Sequence, residues 1–395
     1  MEFDFDTPLG LRNTHCQKWD NLSVLADTGA PGTPEDIIPM WVADMDFAAP
    51  PPVLTALRAE AARGYCGYFG IPGPVAEAVA GWMTRTHGWA LDPDHVRFTV
   101  GVIGGLKIAL EAVTQPGDGV IVFPPVYHAF YRVLDALDRE VVESPLILQD
   151  GRHQMDLDAL EASLTGRERA VIFCSPHNPG GRIWQPHEIQ ALAAFCARHD
   201  LTLIADEIHM DLTFPGETFH PTASTAPDCL ERLIVLSAAS KGFNLAGGET
   251  GFAVIPDKAM RERYDLATPR AGAGLNRFGM VMTKAAFSDG DTWSAAVRAY
   301  LADNFALWRE RVGALPGVHV VEMSSTYLTW IDFRGTGMTH GEIRKRIADG
   351  ARIASSPGTQ FGTGGECHNR FNIAMPRPRL IEAITRMEAA FADLQ

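Results

Sequence analysis

Three polar residues stand where apolar runs give way to loops, and their types suit carbonyl and proton chemistry. Lys241 lies in Leu236-Ser-Ala-Ala-Ser-Lys-Gly-Phe-Asn-Leu-Ala-Gly247, directly after the apolar run Leu233–Leu236. Its neighbours are small and none is acidic, which suits an amine that must become neutral and attack a carbonyl. Asn178 follows the run Ala170–Ser175 in a Pro/Asn/Gly turn, and Asp206 ends the run that starts at Leu201. If these runs are strands of one open parallel sheet, ligands bind beyond their carboxyl ends, so all three groups reach one edge. Singly, each has a plainer reading: a solvated lysine, an asparagine that shapes a turn, an aspartate that caps one. Their shared order favours a site.

The order Asn178-Pro-Gly, Asp206-Glu, Ser240-Lys resembles the fold-type I pyridoxal-phosphate enzymes of aminotransferase class I/II. More narrowly, Trp41-Val-Ala-Asp44-Met-Asp46-Phe47, Gly67-Tyr68, Ser175-Pro-His-Asn-Pro, Asp206-Glu-Ile-His209-Met-Asp211 and Ser240-Lys-Gly-Phe-Asn-Leu-Ala-Gly are similar to the cystathionine β-lyase branch known as MalY/PatB. The resemblance runs from about Trp41 to the carboxyl terminus. It implies an α/β fold: a large domain with a mostly parallel sheet sandwiched by helices, and a smaller α+β domain.

Pyridoxal phosphate is an electron sink while its ring nitrogen stays protonated, and a buried carboxylate holds that proton. Asp206 is the candidate, and the Asn178 amide suits the ring's phenolate oxygen. Tyr127, after the Pro-Pro turn of Phe123-Pro-Pro-Val-Tyr127, suits stacking on a flat ring, although it could be a core aromatic. His209 would support Asp206 or the ring oxygen; a lone histidine is more often structural. A phosphate needs backbone N–H groups at a helix start, which Thr99-Val-Gly-Val102-Ile103-Gly-Gly-Leu-Lys107 would supply, with Ser237 and Ser240 adding hydroxyls. Relatives in the branch usually carry proline near Gly104 and a bulkier residue near Gly242, and the branch lacks a phosphate-binding arginine after the lysine, as does Gly247-Gly-Glu-Thr-Gly here. Arg370, in Asn369-Arg-Phe-Asn, matches the family's Arg-x-Asn strand and would bind the substrate carboxylate, for which a guanidinium fork is suited. Trp41 is a further candidate on the substrate side. By resemblance Tyr68 reaches the phosphate of a neighbouring subunit, which implies a homodimer with shared sites.

The 395 residues, 46% of them apolar, can bury a large core and divide into two domains. Strand-like runs (Val120–Phe123, Ala170–Ser175, Leu201–Ala205, Leu233–Leu236, Phe252–Ile255) alternate with helical patterns such as Glu188–His199. This predicts a parallel sheet covered by helices over 49–285. The remainder, 1–48 with 286–395, reads as the smaller domain, with a helix over Thr292–Val312, strands at Tyr327–Phe333 and Arg370–Ala374, and a terminal helix carrying Leu380, Ile384, Met387, Phe391 and Leu394 on one stripe. The net charge of −14 and the lack of a basic run argue against nucleic acid. No run approaches the ~18 apolar residues of a membrane span, and the acidic start shows no signal peptide. Six scattered cysteines without a C-x-x-C pair read as reduced thiols of a cytoplasmic protein.

The implied chemistry is β-elimination. Lys241 removes the α-proton of an amino acid, a thiolate on Cβ departs, and thiol, pyruvate and ammonia result. Transamination on the same scaffold is the alternative, and a non-catalytic regulator of this fold is a third, disfavoured by intact Lys241, Asp206 and Asn178.

Overall fold

The computed structural model describes residues 3–21, 36–149, 151–271 and 274–394. Seven strands form the main sheet: β1 (Val96–Thr99), β2 (Gly119–Val122), β3 (Glu140–Glu143), β4 (Glu168–Cys174), β5 (Thr202–Asp206), β6 (Leu233–Ser237) and β7 (Gly251–Val254). Their order is β1-β7-β6-β5-β4-β2-β3, and only β7 runs against its neighbours. The five expected runs are the five inner strands, each within two residues of its expected bounds. The two edge strands, Val-Arg-Phe-Thr and Glu-Val-Val-Glu, lack a continuous apolar run and were not among the expected ones.

Alternation along the inner strands feeds two cores. Val120, Val122, Ala170, Ile172, Ile204, Ile234 and Leu236 pack on one face with Val102 and Leu106 of the helix Gly101–Val113. Ile121, Val171, Phe173, Leu203, Ala205, Leu233 and Val235 pack on the other. The helix Pro186–Arg198 starts with proline and a Gln185/Glu188 capping box, which holds its start against the loop after Trp184. Strand ends are aligned: Cys174 pairs with Asp206, and Asp206 with Leu236. The loops that carry Asn178 and Lys241 therefore leave the sheet beside Asp206.

A second, antiparallel sheet comprises β8 (His319–Val320), β9 (Leu328–Asp332), β10 (Ser356–Pro357) and β11 (His368–Asn372), in the order β8-β9-β11-β10. The helix Asp291–Val312 buries Trp293, Val297, Leu301 and Trp308, as its spacing predicts. The helix Arg377–Ala390 buries Leu380, Ile384 and Met387; Leu394 lies beyond its end and is half-buried. Ile38–Pro39 pairs in parallel with Ile353–Ala354, and the Asn372 N–H donates to the Met40 carbonyl at 2.8 Å. These bonds lay the segment Trp41–Phe47 between β11 and the end of the main sheet.

Candidate active site

A cavity of about 250 Å³ opens at the carboxyl ends of the inner strands and is lined in part by Val102, Ile103, Tyr127, Asn178, Asp206, His209, Ser240 and Lys241. Lys241 sits on the single turn Ala239–Gly242 that follows β6. Its Nζ donates to the Ala43 carbonyl at 2.6 Å. Burial lowers its pKa to about 8, with Arg370 pushing the same way and Asp44 and Asp206 opposing. Near neutral pH a usable fraction of the amine is uncharged. Asp206 accepts from the Ile208 N–H at 3.1 Å and is buried on the cavity wall that Lys241 shares. Burial raises its pKa to about 7. A carboxylate so placed gains from a cation beside it, such as a protonated ring nitrogen.

Arg370 enters from β11 and is 2% exposed. Its Nη1 donates to Asn178 Oδ1 at 3.1 Å, and its Nη2 to the Trp41 carbonyl at 2.9 Å and Ser356 Oγ at 3.2 Å. The guanidinium lies over the Phe361 ring, 5.0 Å from its centroid. Nε is buried without a partner, and among the described residues no carboxylate pairs with this charge. Burial lowers its pKa to about 10. With Oδ1 committed to Arg370, the NH₂ is what Asn178 offers the cavity.

The other end of the cavity suits a phosphate. Val102 and Ile103 lie in the first turn of a 13-residue helix, where backbone N–H groups lack helical partners. Gly251 lets β7 come close: a Cβ there would lie 2.7 Å from the Gly101 carbonyl carbon and 2.9 Å from the Val102 nitrogen. Ser240 lines this end, but Ser237 does not reach it. Its hydroxyl contacts the Glu207 carbonyl at 3.3 Å and Met210 Sδ at 3.8 Å. Ser237 follows Leu233 and Val235 at a two-residue period, so it points to the face opposite the cavity.

His209 lines the cavity but makes no hydrogen bond to Asp206 among the described residues. Its Nδ1 is buried without a partner, and burial beside Lys241 and Arg370 lowers its pKa to about 3. It is a neutral ring on the cavity wall; of its two expected roles, support of Asp206 or of the ring oxygen, the first has no hydrogen bond among the described residues. Tyr127 also lines the wall, with its ring edge-on to Phe130. Trp41 contributes its carbonyl to Arg370, while its indole donates to the Lys18 carbonyl at 3.1 Å. Asp46 binds the fully buried Lys18 at 3.0 Å and Asp44 lies 3.7 Å from it, so these carboxylates fix the segment. Tyr68 is 96% exposed and is not among the residues that line the cavity.

Several contributors escaped the sequence reading. The Ala43 carbonyl receives Tyr327 Oη at 3.0 Å as well as Lys241. Asn372 Nδ2 donates to the Val42 and Asp44 carbonyls, both at 2.6 Å. Its place two residues after Arg370 on a strand was the available signal. Ser356, Tyr327 and Glu249, the last at the cavity rim, carried none. At Gly242 a Cβ would lie 2.6 Å from Asp211 Cβ, so the small residue lets the lysine turn pack on Asp211; at Gly104 a Cβ would meet Val100 Cβ at 3.7 Å, an ordinary contact.

A mostly parallel sheet with an amine, a carboxylate and a guanidinium at its carboxyl edge defines a class, and sequence comparison agrees. The chain belongs to the aminotransferase class I and II family, whose model matches residues 35–387. It is 34% identical to cystathionine beta-lyase PatB of Bacillus subtilis (strain 168), over 98% of this chain and 100% of that protein. It is 28% identical to the protein MalY of Escherichia coli (strain K12), over 97% of each. The crystal structure of cystalysin from Treponema denticola, which contains pyridoxal 5′-phosphate, covers all of both chains with a TM-score of 0.93 and 30% identity. The fold is that of fold-type I pyridoxal-phosphate enzymes.

Proposed function

We propose that this protein is a pyridoxal-phosphate-dependent carbon–sulfur β-lyase that cleaves cystathionine or a related cysteine thioether. One observation carries the proposal: Lys241, Asp206 and Asn178 line one cavity, Arg370 donates to that Asn178, and among the described residues no carboxylate pairs with Arg370. The relatives' names support the choice of reaction. The residues fit the cofactor, because the unpartnered Arg370 Nε and His209 Nδ1, the isolated Asp206 and the helix start at Val102–Ile103 each await a polar group. When bound, pyridoxal phosphate supplies an electron sink for charge developing at the substrate α-carbon.

The chain's own residues do the rest. With the cofactor bound, Val102, Ile103 and Ser240 would hold its phosphate, Asn178 would donate to the ring oxygen, Tyr127 would stack on the ring and Asp206 would keep the proton on the ring nitrogen. Arg370 grips the substrate carboxylate, which fixes the α C–H bond for proton removal by Lys241 Nζ. A near-neutral amine accepts the α-proton, and the pair left behind expels a thiolate from Cβ. Hydrolysis of the remainder yields pyruvate and ammonia.

Two domains serve this arrangement, 49–285 around the cofactor and 1–48 with 286–395 around the carboxylate. The protein acts as a homodimer in which Tyr68 reaches the phosphate held by its neighbour. Six free cysteines support a reducing compartment such as the cytoplasm, and among the described residues no helix is long and apolar enough to cross a membrane. Incubation with cystathionine is the test. Homocysteine and pyruvate should appear without any keto-acid acceptor; amino transfer that requires one would make the protein an aminotransferase instead.

A further inference from the structure

Residues 65–71 form an arm between the helices Pro51–Ala62 and Gly73–His87. Tyr65 is 60% exposed, Tyr68 96% and Ile71 76%. Among the described residues the arm makes no backbone–backbone hydrogen bond. It is nevertheless held in one shape, by Arg277 at the start of the helix Arg277–Asp289. Arg277 Nε donates to the Gly67 carbonyl at 2.6 Å and Nη2 to the Tyr68 carbonyl at 2.8 Å. Its Nη1 is anchored by Glu60 Oε1 at 2.7 Å. The Tyr65 ring packs on the guanidinium at 4.9 Å and folds so tightly over Gly67 that a Cβ there would fall 2.1 Å from the tyrosine oxygen.

A guanidinium fork that spans two successive carbonyls fixes their relative orientation, a task a lysine cannot perform. Such order in an arm that buries little of itself serves something outside the chain, because preorganisation lowers the entropy lost on docking. We propose that Arg277 is the positioning residue that presents Tyr68 to a second copy of this chain, so that it serves the partner's cavity and not its own. This rests on the shared-site reading above.

Arm and cavity of one site then come from different chains, which gives the test. Subunits carrying Arg277→Ala are co-expressed with Lys241→Ala subunits under different tags, and doubly tagged dimers are isolated. Each homodimer should be nearly inactive, whereas the mixed dimer holds one site with native Lys241 and a natively held arm and should recover about half of wild-type turnover. The Arg277→Ala homodimer should also release the cofactor on the order of tenfold faster, and so should the Tyr68→Phe homodimer. Arg277→Lys, which keeps the charge without the fork, repeats the experiment if the alanine variant does not fold. A mixed dimer no more active than its parents shows that Arg277 acts within its own site and overturns the proposal. So does failure of Arg277 variants to pair at all where Tyr68→Phe subunits pair. If Tyr68→Phe and Lys241→Ala subunits form mixed dimers that also recover nothing, the shared-site reading itself falls, and this inference with it.

Discussion

Replacing Arg370 by methionine separates what this residue does for the fold from what it does for the substrate. Methionine keeps much of the length and removes the charge. Burial lowers the guanidinium pKa from 12.5 to about 10, so the charged form is disfavoured in the folded protein by about 3 kcal/mol. Against that relief stand three hydrogen bonds, to Asn178, the Trp41 carbonyl and Ser356, at roughly 1.5–3 kcal/mol each because the donor is charged. The bonds exceed the relief, so urea unfolding of the ligand-free variant should show a loss of roughly 2–6 kcal/mol. Catalysis has no such offset. A charge-assisted fork to the substrate carboxylate is worth roughly 3–4 kcal/mol, or ~10²–10³-fold in kcat/KM. The assay is thiol release from cystathionine and from an analogue without the carboxylate at the scissile end. Wild type should prefer cystathionine by that factor and Arg370→Met should lose the preference. A variant that keeps it would show that another group binds the carboxylate, and a variant as stable as wild type would show that the three bonds add nothing net to the fold.

Asp206→Asn should lower turnover by on the order of 10²–10³-fold while leaving cofactor affinity nearly intact, because an amide cannot hold the ring proton electrostatically; equal losses in both would contradict this, and absorbance titration with stopped-flow kinetics reads the two. Glu207 is buried with one carboxylate oxygen unpartnered, and burial raises its pKa from 4.5 to about 7. An acid whose folded pKa is raised loses its stability contribution as pH climbs from the unfolded value through the folded one, here between 4.5 and 7. Glu207→Gln should therefore melt like wild type at about pH 4 and higher than wild type at pH 8, by up to ~3 kcal/mol; parallel melting curves across that range would refute it. Ser237→Ala should retain the cofactor as wild type does, whereas Ser240→Ala should release it faster on dialysis; the reverse order would place the phosphate on the other face of β6.

Legibility in the sequence followed local physics. Inner strands are buried on both faces, so they write themselves as apolar runs, and the residues that end those runs, Asp206 and Lys241, were visible as chemistry. The edge strands, the alternating Val-Arg-Phe-Thr of β1 and the two valines between glutamates of β3, left no such trace. Arg370 was legible through its motif, but Ser356 and Tyr327 meet it or its surroundings only through tertiary packing. Ser237 shows the limit from the other side: proximity to Lys241 in sequence suggested a ligand, and strand alternation turned the hydroxyl away.

Lys241 rests against a main-chain oxygen, that of Ala43. No point substitution removes a carbonyl, so the resting place of this amine is shielded from the commonest kind of genetic change. It can only be displaced, by moving the chain that bears it. The handle for that is Asn372, whose two bonds grip the carbonyls on either side of Ala43. A residue that touches no reacting atom thus controls where the amine waits, and variation there offers a route to retuning the lysine without altering it.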